Sequence, residues 1–431
     1  MTYSAAIDYL YGLQKHGIKL GLETMRILLG RIGHPERRFR TLHVGGTNGK
    51  GSTAGMAAAI LQAAGLRVGL YTSPHLVDFR ERIRVDGELI SEESVAELTG
   101  HLRKVFPDNP PPTFFEMTTA MALLHFSKAG VDVAVIEVGL GGRYDATNVI
   151  VPMAAAITTI GLDHEEYLGD TLESIAFEKA GIIKPSVPVI RGRVGREADG
   201  VISRIAQERR APLWRLEEEF AVDGVGPERF TYRGAGWTFE NLQCGLAGRH
   251  QLDNAACAVA MLEASRELGC CIDEGAVRRG LQAATWEGRL ERIEVRPDVL
   301  LDGAHNPAAA EALAAYLQGY LFRSPDSRII LVWGMMRDKD HRGFIKPLSP
   351  LVSEIVLTEA SLSRSATVKE LRESVPDWTG PIREVPNSAE AVLVAKTLAR
   401  SVDLICVTGS LMLLGDVKAA LRGCELSPIR G

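Results

Sequence analysis

GGTNGKGS, Gly45 to Ser52, is the stretch on which the reading of this chain turns. Phe39 to Val44 before it alternates Leu42 and Val44 in the manner of a short strand, and Ser52 to Ala64 after it is rich in alanine and leucine, as a helix is. A glycine-rich turn carrying a lysine and a hydroxyl therefore opens onto a helix N-terminus. Unpaired backbone N–H groups and the positive end of the helix dipole favour an anion there, and glycines let the backbone approach phosphate oxygens without a Cβ in the way. Lys50 would neutralise the outer phosphates of a nucleotide, and Ser52 could hold magnesium. The spacing is a shortened relative of the usual phosphate loop, because position 44 is Val44 and Gly51 separates Lys50 from Ser52.

A length of 431 residues gives material for two or three domains, and 46% hydrophobic with 24% charged residues is the balance of a soluble globular enzyme. The net charge of −5 argues against a nucleic-acid coat or a polybasic membrane surface, and leaves small anions to local basic groups. Cys244, Cys257, Cys270, Cys271, Cys406 and Cys424 show no CxxC spacing, which fits a reducing compartment. The N-terminal residues carry no export pattern, and no apolar run is long enough to cross a bilayer. The expectation is a cytoplasmic monomer that meets small molecules and neither nucleic acid nor membrane.

Strand-like runs at Arg67 to Tyr71, Val131 to Val138, Ala154 to Ile160 and Val187 to Arg191 alternate with helical ones at Phe114 to Lys128 and Thr171 to Ala180. That rhythm predicts an α/β fold, with a mostly parallel sheet and ligands beyond the carboxyl ends of its strands. RIRVDGELI, Arg82 to Ile90, has the Asp-Gly turn of a tight hairpin at the sheet edge. Residues 192–247 are richer in arginine, glycine and aromatics, and read as a β-rich insertion. After a helix over Asp253 to Leu268, the polar TWEGR segment, Thr285 to Arg289, precedes a second βα series with strands at Val299 to Leu301, Ile329 to Trp333, Glu354 to Leu357 and Leu404 to Val407. The expected domains are 1–287, built on the phosphate loop, and 288–431, smaller and Rossmann-like.

Three polar segments lie at strand ends or just after them: TSPHL from Thr72, EVGLGGRYDATN from Glu137 and GLDHEEYLGDT from Gly161. Ser73, Glu137 and His164 could converge on a cation, with the carboxylate suiting magnesium and the histidine a less expected ligand. Glu137 ends the apolar run VDVAVIE, where a carboxylate is costly to bury unless it meets a cation or donors. In LLDGAHNP, Asp302 follows a strand, Asn306 suits an N-cap and Pro307 the first helical position. Asp302 and His305 could contact a ribose and a phosphate, or simply cap the turn. Arg289, beside the domain junction, could act as an electrostatic clamp on a terminal phosphate.

Taken in order, GGTNGKGST, TSPHL followed by ERI, EVGLGGRYDATN, LDHEEYLGDT, EKAGIIKP, HQLDNAA and LDGAHNP resemble the folylpolyglutamate synthase and dihydrofolate synthase group of Mur-type ATP-dependent amide ligases, from about residue 10 to the C-terminus. The resemblance implies that Gly46, Thr47, Asn48, Gly49, Lys50, Gly51 and Ser52 hold ATP phosphates, and that Ser73, Glu137 and His164 ligate Mg²⁺. Lys179 matches a lysine that the group carbamylates, which would turn a cation into a carboxylate for a second metal. Asn254, Arg289, Asp302 and His305 fall where the group contacts ATP. Gly21, Pro74, His75, Phe115, Glu116 and Asp145 match segments lining the pteroate pocket, although the neighbouring phenylalanines suit a helix core equally well. Ser410 is a candidate on the glutamate side or a strand-end turn. The group usually has threonine where this chain has Gly45; the backbone donors remain.

The implied reaction is ATP-dependent amide formation between L-glutamate and dihydropteroate or a reduced folate, through an acyl phosphate, with Lys50, Lys179, Arg289 and His305 as catalytic groups. Two other readings stay open: a Mur-type ligase acting on cell-wall precursors, and a phosphate-loop ATPase or regulator that makes no amide.

Overall fold

The glycine turn follows the central strand of an eight-stranded sheet. The structure is a computed structural model that describes residues 1–17, 21–106, 111–265 and 272–427. Within these the chain forms two units, Met1–His75 with Phe79–Gly245 and Gln251–Thr285, and Leu76–Asp78 with Leu246–His250 and Trp286–Gly431. In the first unit the strands are β1 (Arg40–Gly45), β2 (Val68–Tyr71), β3 (Ile83–Val85), β4 (Glu88–Leu89), β5 (Val133–Glu137), β6 (Ala154–Ile157), β7 (Val189–Arg191) and β8 (Leu213–Arg215), in the order β4-β3-β2-β5-β1-β6-β7-β8. All neighbours are parallel except β3, which pairs antiparallel with β2 and with β4, the latter pair forming the expected hairpin. Since β1 lies between β5 and β6, the chain leaves it toward one side and later fills the other. Its carboxyl end is thus a topological switch point, where such sheets bind ligands.

Burial explains the strand sequences. Thr41 to Gly45 and all of β5 and β6 are buried, so these strands read as near-continuous apolar runs. The helix after the turn spans Lys50–Ala63, two residues earlier than its sequence suggested, with Gly49 in left-handed conformation as its N-cap. The helix Glu274–Ala283 packs on it so closely that a Cβ at Gly280 would strike the Ile60 backbone. Residues 192–247 are not β-rich throughout. They open with the helix Arg196–Glu208, which buries Ala198, Ile202, Ile205 and Ala206 on one face. Beyond β8 comes a separate antiparallel sheet of β9 (Ala221–Gly226), β10 (Arg229–Arg233) and β11 (Thr238–Leu242). Glu263 fastens it by accepting hydrogen bonds from Tyr232 Oη at 2.7 Å and from the Trp237 N–H at 2.8 Å. The helix carrying Glu263 spans His250–Ala264, and part of the expected extension toward Leu268 lies outside the described residues.

In the second unit the strands are β12 (Glu291–Glu294), β13 (Asp298–Asp302), β14 (Ile329–Trp333), β15 (Glu354–Glu359), β16 (Ile382–Asn387) and β17 (Leu404–Thr408), ordered β12-β13-β17-β14-β15-β16. Only β12 is antiparallel. Side-chain alternation splits its core into two layers. Ile329, Leu331 and Trp333 enter one with Leu300, Leu357 and Leu404, whereas Ile330 and Val332 enter the other with Leu301, Val356 and Val407. The molecule is therefore α/β, with a large parallel-dominated sheet followed by a smaller one. Among the described residues, no helix is long and apolar enough to cross a membrane.

Candidate active site

Gly46 and Gly49 have φ of 138° and 87°, values that suit glycine, and a Cβ on either would collide with a neighbour. At Gly46 the obstacle is Thr158 Oγ1, and at Gly49 it is the Asn254 side-chain amide. Asn254, two hundred residues further along, is thereby placed against the turn. The loop after β6 braces the other side. The Thr47 N–H donates to the Thr159 carbonyl at 2.8 Å, the Asn48 N–H to Thr159 Oγ1 at 2.9 Å, and Thr158 Oγ1 to the Asn48 carbonyl at 2.6 Å. Thr47 Oγ1 accepts from the Gly161 N–H at 3.1 Å. Gly51 and Ser52 are buried in the first turn of the helix.

Two lysines meet on this turn. Lys50 Nζ folds back to donate to the carbonyls of Gly46 at 3.1 Å and Thr47 at 3.0 Å. Lys179, at the end of the helix Leu172–Ala180, donates from Nζ to the same Gly46 carbonyl at 3.0 Å. Lys179 is only 5% exposed. Burial first, and then the Lys50 charge, pull its ammonium down to about 7 against the opposing charges of Asp163 and Asp145. A neutral amine is therefore accessible near physiological pH.

Glu137 ends β5 in register with Val44 of β1, which sets its carboxylate beside the start of the turn. It is 4% exposed, and its Oε2 accepts the Ser73 N–H at 3.0 Å, so Ser73 and Glu137 are brought together. His164 has φ of 53° at the N-cap of the short helix Glu165–Leu168, and its Nε2 lies 3.8 Å from Asp163 Oδ1. Among the described residues, no three His, Cys, Asp or Glu side chains gather as a metal cage. A buried carboxylate beside a phosphate turn nevertheless fits magnesium, which binds through one or two carboxylates and takes its other ligands from substrate phosphates and water.

The acceptor-side candidates sit in several settings. His75 is buried, and Arg82 Nε donates to its Nδ1 at 2.8 Å, which fixes the ring proton on Nε2. Pro74 is exposed before it. The Phe115 ring lies 6.0 Å from that of Tyr71 and covers Gly139, where a Cβ would enter it. Glu116 belongs to a capping box: its Oε2 accepts the Thr113 N–H at 2.8 Å and Thr113 Oγ1 at 3.0 Å. Asp145 accepts the N–H groups of Gly139 at 3.0 Å, Leu140 at 2.9 Å and Thr147 at 3.0 Å, as well as Thr147 Oγ1. Burial raises its pKa against these hydrogen bonds. Its carboxylate braces its own loop, and a ligand would have to share it. Gly21, with φ of 134°, lies just before the helix Glu23–Arg31; Lys19 and Leu20 of its segment are outside the described residues.

In the second unit the candidates gather around the end of β13. Asp302 Oδ2 accepts the Leu290 N–H at 2.9 Å and Oδ1 the Ala304 N–H at 3.0 Å, which ties the residue after Arg289 to the strand end. The Arg289 guanidinium lies against Gly303, where a Cβ would meet it. His305 Nδ1 is 2.8 Å from the Gly303 carbonyl. Asn306 caps the helix Pro307–Arg323, with Oδ1 accepting the Ala309 N–H at 2.9 Å. Ser410 likewise caps Leu411–Arg422.

Thr158, Thr159 and Asp163 escape a reading of the sequence. The one available sign was the pair of hydroxyls ending an apolar strand just before GLDH, a pattern that β-propensity also accounts for.

A phosphate turn at the switch point of one α/β unit, followed by a second α/β unit, defines a class of two-part nucleotide-using ligases. Residues 44–262 match the Mur ligase middle domain and residues 288–411 the Mur ligase glutamate ligase domain. The chain belongs to the Mur ligase family, in its dihydrofolate synthase/folylpolyglutamate synthase branch. It is 36% identical to the dihydrofolate synthase/folylpolyglutamate synthase of Bacillus subtilis over 98% of this chain and 99% of that one. Among solved structures, E. coli FolC in complex with DHPP and ADP superposes with a TM-score of 0.90 at 34% identity, covering 98% of both chains. The bifunctional folylpolyglutamate synthase/dihydrofolate synthase of Yersinia pestis, complexed with AMPPNP and Mn, gives 0.88 at 34% identity over 98% of both.

Proposed function

We propose that this enzyme uses ATP to join L-glutamate, through an amide bond, to dihydropteroate and to the glutamate tail of reduced folates. Family membership gives the reaction class, and the observation that carries the site assignment is the meeting of Lys50 and Lys179 on the carbonyl of Gly46. The acceptor carboxylate attacks the γ-phosphorus, ADP leaves, and an acyl phosphate results. The deprotonated amine of glutamate then attacks that carbonyl and phosphate departs. Activation is needed because a carboxylate is a poor acylating group.

The turn from Gly46 to Ser52 would cradle the phosphates, with Asn254 against Gly49. On arrival of nucleotide, Lys50 would swing its ammonium from the turn carbonyls to the phosphate oxygens, an electrostatic contribution realised as charge shifts in transfer. Ser73, Glu137 and His164 would hold Mg²⁺, which when bound supplies Lewis-acid polarisation of phosphoryl oxygens. Lys179 would become a carbamate: its neutral amine would add to carbon dioxide, forming an N–C bond and releasing one proton, and the new carboxylate would offer a hard oxygen ligand. A pKa of about 7 supports this, since only the free base is nucleophilic.

Arg289 and His305 would serve the terminal phosphate and Asp302 the ribose side, while Gly21, Pro74, His75, Phe115, Glu116 and Asp145 would shape the acceptor pocket. For Glu116 and Asp145 this means shaping through the helix cap and the loop brace. Arg289→Ala should lower turnover by about 10²-fold, with ATP affinity much less affected, as for a group acting on transferred charge. The decisive assay measures phosphate release with acceptor and glutamate added singly and together, with products read by mass spectrometry for dihydropteroate and for a reduced folate. Full ATP turnover in the absence of either acceptor or glutamate would refute the ligase reading.

A further inference from the structure

Arg289 sits in a turn that is held from both sides by charge. Leu290, the next residue, has φ of 47°, a left-handed conformation that a leucine keeps only where its surroundings impose it. Asp302 holds the Leu290 N–H on one side. The Gly303 N–H donates to the Gly288 carbonyl at 2.8 Å, and the Gly288 N–H donates to Glu291 Oε2 at 2.7 Å. Glu291 is in turn held by Lys418, whose Nζ lies 2.6 Å from Oε1 and 2.7 Å from Oε2. The same ammonium is 2.8 Å from Glu287 Oε2, and Arg422 is 3.0 Å from Glu287 Oε1. Lys418 is 3% exposed, on the helix Leu411–Arg422.

One buried cation thus binds the carboxylates on both flanks of the sequence Glu287–Gly288–Arg289–Leu290–Glu291. Burial alone would raise the Glu287 carboxyl; hydrogen bonds and charge from Lys418 and Arg422 hold it below its ordinary value. Taking away the lysine would remove the one cation shared by Glu287 and Glu291, leaving Glu287 with Arg422 alone and the two carboxylates to repel each other across the turn.

We propose that Lys418 is a positioning residue for Arg289: by clamping Glu287 and Glu291 it fixes the turn from which the arginine projects. The proposal rests on the reading of Arg289 as a clamp on transferred phosphate. A double-mutant cycle on the full-length enzyme tests it. Lys418→Met should lower kcat about tenfold with KM for ATP nearly unchanged, and should have almost no further effect in an Arg289→Ala background, because a residue acting through a partner shows non-additivity of this order. Lys418→Arg should restore most of the rate. Glu291→Gln, which keeps an acceptor for the Gly288 N–H but loses the charge, should show the same background dependence and serves if Lys418→Met does not fold. Equal losses in both backgrounds would make the cluster purely structural and overturn the proposal, as would an unaltered kcat. Should Arg289→Ala itself leave turnover intact, the clamp reading fails first and the proposal falls with it.

Discussion

The two units each place a strand, a turn and a helix at the carboxyl end of a parallel sheet, and they finish the helix start in opposite ways. After β13, Asn306 caps the helix with its own side chain, Pro307 occupies the first helical position, and Asp302 satisfies two further N–H groups. After β1, the helix begins at Lys50, a lysine, and its N-cap Gly49 offers no side-chain cap. A cation there opposes the helix dipole, so this arrangement lowers the stability of the isolated fold. The contrast teaches that the second turn is built for itself and the first for an anion. Lysines lodged on backbone carbonyls are held ready beside it.

Substitutions should separate the two turns. The largest effect is expected for Lys50→Met, which should reduce ATP turnover by about 10²–10³-fold, the range for losing one preorganised charge-stabilising donor. Its melting temperature without nucleotide should stay the same or rise. A turnover within about tenfold of the parent would end the distinction between the turns.

Lys179→Met comes next. The folded-state pKa of Lys179, about 7, lies below its ordinary 10.5, so burying the charged form costs stability fully below pH 7. That cost fades as pH rises from 7 to 10.5, because the unfolded chain binds more protons across this window. The methionine variant should therefore melt higher than the parent at or below neutral pH, with the gain vanishing in strong alkali, while its turnover falls by less than that of Lys50→Met. Isotopically labelled bicarbonate should give a carbamate NMR signal in the parent that the variant lacks. A melting difference independent of pH would show that Lys179 is not titrating in the folded protein.

The smallest effect is reserved for the capped turn. Asn306→Ala should cost about 1 kcal/mol of stability, the usual worth of an N-cap, and leave turnover nearly intact. Denaturant unfolding beside steady-state rates checks it, and a variant of full stability but lost activity would mean that Asn306 serves ligand instead.

The α/β character of the fold was legible because apolar strands and glycine turns carry local signals. GGTNGKGS marked the strand, the turn and the helix, although the αL residue Gly49 moved the helix start to Lys50. The helix Arg196–Glu208 was equally visible in its spacing of Ala198, Ile202 and Ile205, yet arginine and glycine in the same segment drew the reading toward strands. TFFE from Thr113 carried the pattern of a capping box, which is where Glu116 spends its carboxylate. What no local pattern could reveal were pairings across long chain separations. Asn254 over Gly49, Thr158 beside Gly46, and Lys418 between Glu287 and Glu291 depend on which strands and helices become neighbours.

The close seating of Glu274–Ala283 against Lys50–Ala63, permitted by Gly280, has its own consequence. A helix wedged that firmly behaves as a stiff anvil beneath the nucleotide. Its interior amides, from Ala54 to Leu61, should be among the slowest in the first unit to exchange with deuterium, loaded or empty. Breathing during each catalytic cycle then falls to the surrounding loops.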